Sequence, residues 1–153
     1  MTAEPFGPHA VAVVLLTGLT LLACVLLHYE AFAWLTRRLG RMHSHVRRRR
    51  ILLLMFALVA LHVAEIWLFG AAYFVLGNGK VAELGSTVSS AAGLLDLVYF
   101  SATVYTTLGF GDLVPTGAIR FLTGTEAVAG FLLISWSASF TFLEMQRFWK
   151  LDD

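Results

Sequence analysis

Three long stretches of this chain are built almost entirely from residues that water solvates poorly. They run over about Ala10 to Leu35, Ile51 to Leu76 and Ala118 to Leu143. The first has a charge-free core, Ala10 to Leu27, which is about 27 Å long at helical rise and matches the thickness of a hydrocarbon layer. Over its 153 residues the chain is 58% hydrophobic and 14% charged, with mean hydropathy +0.77. Soluble domains rarely exceed half apolar residues. The solvent for these segments is therefore lipid, and the fold class expected is an all-α membrane protein with three transmembrane helices. Residues 1–9 carry Glu4 and no Lys or Arg, so the basic region of a secretory signal is missing and the first stretch reads as a retained span.

The charges fix an orientation. Of the eleven basic residues, seven are arginines between Arg37 and Arg50. The segment between the second and third stretches carries only Lys80 before Arg120. By the positive-inside rule the loop 36–50 is cytoplasmic, the N-terminus lies outside, and the segment 77–117 faces outward. Arg147 and Lys150 then fall on the inner side with the C-terminus. No span carries arginine at every third position, so a voltage sensor is not expected. The single cysteine, Cys24, excludes a disulfide framework within the chain, and no metal-ligand spacing is visible. Nothing in the composition points to nucleic acid.

The outward segment is the informative one. Gly77-Asn78-Gly79-Lys80 ends the second span with turn chemistry, and 81–90 is small and polar. Residues 92–105 are apolar but too short to cross a bilayer, which suits a re-entrant helix. Thr106-Thr107-Leu108-Gly109-Phe110-Gly111-Asp112 follows, then Pro115 and the third span. A strand aims successive carbonyls at one axis only if its backbone handedness alternates. Two positions must then accept φ > 0, and glycine does so without steric cost. Gly109 and Gly111 have that spacing.

This run resembles the potassium-channel selectivity filter, T-x-G-(Y/F)-G-D, and the resemblance covers about residues 51–145. It implies ion-binding carbonyls at Thr107, Leu108, Gly109, Phe110 and Gly111, with K+ held at Thr107 to Phe110 and no other cofactor. It implies four such loops around one ion, hence a homotetramer, because the chain has one pore loop and no internal repeat. The domains expected are 1–35, an extra N-terminal transmembrane helix; 36–50, a cytoplasmic arginine-rich loop; 51–145, the pore domain of outer helix, pore helix, filter and inner helix; and 146–153, a short cytoplasmic tail. The function implied is passive potassium-selective conduction without voltage gating, in a cell membrane of bacterial inner-membrane type, with no bond made or broken. Two alternatives stand: a poorly conducting regulatory or structural subunit of a larger channel, and a nonselective cation channel, against which the intact Gly-Phe-Gly-Asp argues.

Supporting roles follow from the same resemblance. Tyr99 and Phe100 match the aromatic pair that braces the filter, and Asp112 places a carboxylate at the outer mouth. Phe110 stands where tyrosine is commoner and has no hydroxyl to donate. Leu108 replaces valine or isoleucine. Thr103 occupies a position that is glutamate in some bacterial members, so their carboxyl pair with the filter aspartate is missing. Glu126 and Glu65 lie at similar depth, roughly 10–16 Å below the outer surface by helical rise. They either brace the filter with Thr103, Tyr105 or Thr106 as donors, or pair locally, for example Glu65 with His62 at i, i+3, and serve helix packing. Gly130 is either a gating hinge or a site of close helix packing. Phe131, Ile134, Ala138 and Phe142 form one stripe that lines the inner cavity or meets lipid. Arg47, Arg48, Arg49 and Arg50, with Arg37, Arg38 and Arg41, enforce topology or contact anionic headgroups. His43 and His45 could add pH dependence. His28 and Cys24 read as packing residues. The gating stimulus and the packing position of the first helix do not follow from the sequence.

Overall fold

The computed structural model describes residues 7–41, 47–76 and 93–149, with the backbone alone at 47, 148 and 149. The turn at 77–80, the loop 81–90, His43, His45, the Arg47 side chain and the tail from Lys150 lie outside the described residues. Four helices make up the described chain, α1 (Pro8–Gly40), α2 (Arg47–Leu76), α3 (Leu94–Tyr105) and α4 (Ile119–Trp149). Helices are what lipid permits, since each backbone donor and acceptor then finds its partner inside the segment. Three of them, α1, α2 and α4, are long and apolar enough to cross a membrane. With 12 residues, α3 is too short to do so.

The helices overrun the hydropathy boundaries. Pro8 sits at the start of α1, where its missing N–H costs nothing, and the helix continues through Arg37 and Arg38. Those two cations stand in the last turn, where the helix dipole is negative. Arg47 to Arg50 form the first turn of α2 and are not loop. Arg50 donates to the Leu39 carbonyl at 2.6 Å and so satisfies one of the orphan acceptors at the end of α1. Residues 146–149, expected in a tail, continue α4, where Arg147 pairs with Glu144 at 2.7 Å.

In this structure α1 lies against α2 and α4 of its own chain. Leu35, Leu39, Leu54, Leu58 and Leu61 form one apolar cluster with Phe32, whose ring stacks on Phe140 at 4.4 Å. A second cluster surrounds α3 and holds Phe69, Tyr73, Leu97, Phe100, Tyr105, Leu122 and Leu133. Cys24 is buried in that cluster. Two glycines set how closely α3 is gripped. A β-carbon on Gly70 of α2 would stand 2.8 Å from Val98 Cγ2, and one on Gly130 of α4 would stand 2.0 Å from the Tyr105 carbonyl oxygen. The short helix is thus wedged between two spans at backbone contact.

Candidate functional site: the loop after α3 and its supports

The start of α3 is capped by its own sequence. Asp96 accepts the Gly93 N–H at 2.9 Å and puts a carboxylate at the positive end of the helix dipole. At the other end, Thr106 N–H reaches the Ala102 carbonyl at 3.2 Å, Thr107 N–H the Val104 carbonyl at 2.9 Å, and Gly109 N–H the Thr103 carbonyl at 3.0 Å. These bonds hold the first residues of the loop against the helix end. Along this same stretch φ is +58° at Thr107, +54° at Gly109 and +80° at Gly111, while Leu108 and Phe110 between them are not positive. The sign of φ therefore changes at every residue from Thr107 to Gly111. Two glycines were expected in this region; the threonine was not. A β-branched residue held there stores strain of about 1–3 kcal/mol, which the surrounding bonds must sustain.

Tyr99 donates to Asp112 at 2.8 Å, and its ring lies parallel to that of Phe110 with centroids 6.4 Å apart. Asp112 also accepts the Leu113 N–H at 3.1 Å. The hydrogen bond to Asp112 pushes the Tyr99 phenol above its ordinary value. Phe100 points the other way, into the core, edge-on to Tyr73 at 5.1 Å. The two aromatics thus hold opposite sides of α3: Tyr99 the outer end of the loop, Phe100 the contact with α2. Leu108 and Phe110 are 59% and 64% exposed on the single chain, a large apolar surface for residues so tightly placed.

Behind α3 stand the two buried acids. Glu126 accepts from Tyr73 and Ser101, both at 2.5 Å. Ser101 Oγ also lies 2.8 Å from the Ile66 carbonyl, so its one proton serves either acceptor. Thr103 and Thr106, expected as donors to the acids, instead turn back on the carbonyls of Phe100 and Ala102 at 2.8 and 2.7 Å. Threonine hydroxyls in helices favour that local bond. Of the expected donors only Tyr105 reaches an acid, and that acid is Glu65, at 2.5 Å. The local pair is present as well, with His62 Nδ1 3.1 Å from Glu65 Oε2. His28 is not merely a packing residue: its Nδ1 lies 2.8 Å from Glu65 Oε1, and both side chains are fully buried. Ser137 of α4 completes the group, 3.0 Å from His62 Nε2. Where the sequence showed no metal-ligand spacing, His28, His62 and Glu65 bring three ligand atoms within 4.8 Å of one another. Sequence reasoning missed Tyr73, Ser101 and Ser137; the one available signal was that an acid buried in lipid requires a donor somewhere.

On α4 the residues fall on two faces. Leu122, Glu126, Leu133 and Ser137 are buried. Phe131, Ile134, Ala138 and Phe142 are exposed on the single chain. The helix runs unbroken through Gly130, whose lack of a side chain is already required by Tyr105. At the other end of the molecule Arg48 and Arg49 are exposed, whereas Arg50 is engaged with α1.

The family model described as "Ion channel" matches residues 61–147, more than half of the chain. The matched segment begins within α2, takes in α3 and the loop after it, and ends in α4. The chain belongs to this family of potassium-channel pore domains and is an integral membrane protein. No curated protein and no solved structure matches it.

Proposed function

We propose that this chain forms a homotetrameric potassium-selective channel that conducts passively and without a voltage sensor. The observation that carries the reading is the alternation of φ at Thr107, Gly109 and Gly111 within Thr-Thr-Leu-Gly-Phe-Gly-Asp, at the end of a helix too short to cross the membrane. Alternating handedness turns successive carbonyls to one side. Four such loops supply a ring of oxygens that replaces the hydration shell of K+. The ions bind at the carbonyls of Thr107 to Phe110, with Gly111 and the Asp112 carboxylate at the outer mouth. The exposed Leu108 and Phe110 side chains meet neighbouring subunits. Tyr99 holds the outer end of the loop. Glu126, through Ser101, anchors the back of α3.

In this reading α2 is the outer helix and α4 the inner helix, with Phe131, Ile134, Ala138 and Phe142 facing the cavity. The C-terminal end of α3 points its negative dipole end at that cavity and favours a cation there. The N-terminus is outside and the arginine-rich segment cytoplasmic, in a membrane of bacterial inner-membrane type. Arg48 and Arg49 are placed to meet anionic headgroups.

The test is flux through liposomes that contain only this protein, at several pH values and lipid compositions. Potassium flux well above sodium flux is the expected result. Equal flux of the two ions overturns the selectivity; no flux in any lipid favours the regulatory-subunit alternative.

A further inference from the structure

Glu65 has no exposed surface, yet three helices bring polar atoms to it. His28 Nδ1 of α1 lies 2.8 Å from Oε1, His62 Nδ1 of α2 lies 3.1 Å from Oε2, and the Tyr105 hydroxyl of α3 donates to Oε2. On the far side of both rings stands one hydroxyl. Ser137 Oγ of α4 is 3.0 Å from His62 Nε2 and 3.4 Å from His28 Nε2. A hydroxyl has one proton and two lone pairs, so it cannot donate to both rings but can accept from both. If each Nε2–H points at Ser137, each Nδ1 turns a lone pair toward the Glu65 carboxylate. With the rings so turned, two imidazole lone pairs face the carboxylate, the Tyr105 hydroxyl 3.0 Å from His62 Nδ1 is the one proton donor among them, and a cation relieves the repulsion. With Nδ1–H on each ring the imidazoles donate to Glu65 instead, and protons alone hold the cluster.

The geometry suits a metal ion. His28 Nδ1 lies 2.8 Å from Oε1 and His62 Nδ1 3.1 Å from Oε2 of the same carboxylate, and one ligand atom from each of the three residues lies within 4.8 Å of the others, so modest shifts bring them to the edge, about 3.4 Å, of a tetrahedron built on metal bonds of about 2.0–2.2 Å. His62 and Glu65 stand at i, i+3, the spacing with which helix bundles present a histidine and a carboxylate to one ion. Ser137 is the outer partner that fixes ring orientation and tautomer. Two imidazoles and one carboxylate select a borderline transition metal over Mg2+ or Ca2+, which take oxygen ligands. The His62 side chain is 19% exposed on the single chain, whereas His28 and Glu65 have no exposed surface.

We propose that His28, His62 and Glu65 bind one divalent transition-metal ion of the zinc class per chain, with a fourth position open beside the Tyr105 hydroxyl. The ion clamps α1 to α2 and, through Tyr105, fixes the end of α3 immediately before Thr106. The site does not rest on potassium selectivity, and its test reads no ion flux.

Metal-stripped full-length protein in lipid nanodiscs is titrated with Co2+. The expected result is one Co2+ per chain with the visible ligand-field bands of a tetrahedral nitrogen and oxygen site, displaced by Zn2+ but not by Mg2+. Zn2+ raises the thermal unfolding midpoint, and a chelator reverses the rise. His28→Gln and Glu65→Gln lose the bands, and Ser137→Ala weakens binding roughly 10-fold or more. The chelator experiment on unaltered protein stands even where a variant fails to fold. Absence of bands and of a Zn2+ shift in folded wild type overturns the proposal, and protons alone then hold the cluster together. Bands unchanged in folded His28→Gln overturn it equally.

Discussion

The carbonyl oxygen of Tyr105 occupies the space that a side chain on residue 130 would need. A β-carbon on Gly130 would approach it to 2.0 Å, with the carbonyl carbon at 2.8 Å and the ring at 2.9 Å. The obstacle is backbone, so no rotamer change relieves it. Gly130→Ala must therefore push α4 away from the end of α3. Overpacking costs about 1–3 kcal/mol, and a backbone clash falls at the upper end. The expected outcome is a lower thermal midpoint together with loss of ion flux, because the loop after Tyr105 moves with it. A Gly130→Ala protein of wild-type stability and flux shows that the two helices are not held in this contact.

Gly109→Ala tests the loop itself. Nothing lies within 4 Å of its added β-carbon on the single chain, so any effect comes from the backbone. At φ +54° a side chain costs about 1–2 kcal/mol per chain. Relaxation toward negative φ turns a carbonyl away. Selective potassium flux should vanish while insertion and assembly persist, since α1, α2 and α4 are untouched. Retention of wild-type potassium selectivity in an assembled Gly109→Ala protein would falsify the filter assignment.

What could be read from the sequence followed the physics of single residues. Gly109 and Gly111 announce their φ because glycine alone adopts it freely. Thr107 shares that region at +58°, but its side chain gives no sign of it; the strain comes from bonds made around it. The spans were legible from hydropathy, yet the helix ends were not. Charge stops a segment from entering lipid, not from being helical, and so Arg37, Arg38 and Arg47 to Arg50 all lie in helices. Which acid meets which donor was the least legible feature. It depends on how the faces of spans that are apolar nearly all round come together, and His28 and Glu65 are separated by 37 positions in the chain.

Tyr99→Phe removes one hydroxyl and leaves the ring beside Phe110. The lost bond to Asp112 contributes little to stability, because both groups are exposed and solvent replaces it. Stability should hardly change. The potassium-to-sodium flux ratio should fall, since the outer end of the loop loses its tether to α3. In the wild type the phenol is raised above its ordinary value of 10.0, so the bond is fully present below that pH and is lost only as pH rises through the raised value. Flux measured up to about pH 9 should therefore show no titration from Tyr99.

Topology is testable by itself. A tag at the N-terminus should be reached from outside and one at the C-terminus from inside, because three helices of spanning length lie between them among the described residues and the proposed orientation puts the arginines in the cytoplasm. Accessibility of both tags from the same side would require an even number of crossings and overturn the orientation.

Glu126 stands behind α3 with no exposed surface and with donors from two other helices. Tyr73 reaches it from α2 and Ser101 from α3. Glu126→Gln keeps the shape and one acceptor. Its amide N–H can donate to Ser101, whose proton then turns to the Ile66 carbonyl 2.8 Å away. Assembly should survive, with altered open probability or inactivation as the readout. Glu126→Ala should be worse. It leaves the Tyr73 hydroxyl without its main acceptor and opens a cavity, at a combined cost of about 2–5 kcal/mol. Glu126→Leu separates bracing from packing: it fills the volume at the same depth but accepts no hydrogen bond. If Glu126 holds α3 in place through Ser101, Glu126→Leu assembles but conducts unlike wild type. If it assembles and conducts as wild type does across the accessible pH range, the acid is a tolerated packing residue and the bracing role is wrong.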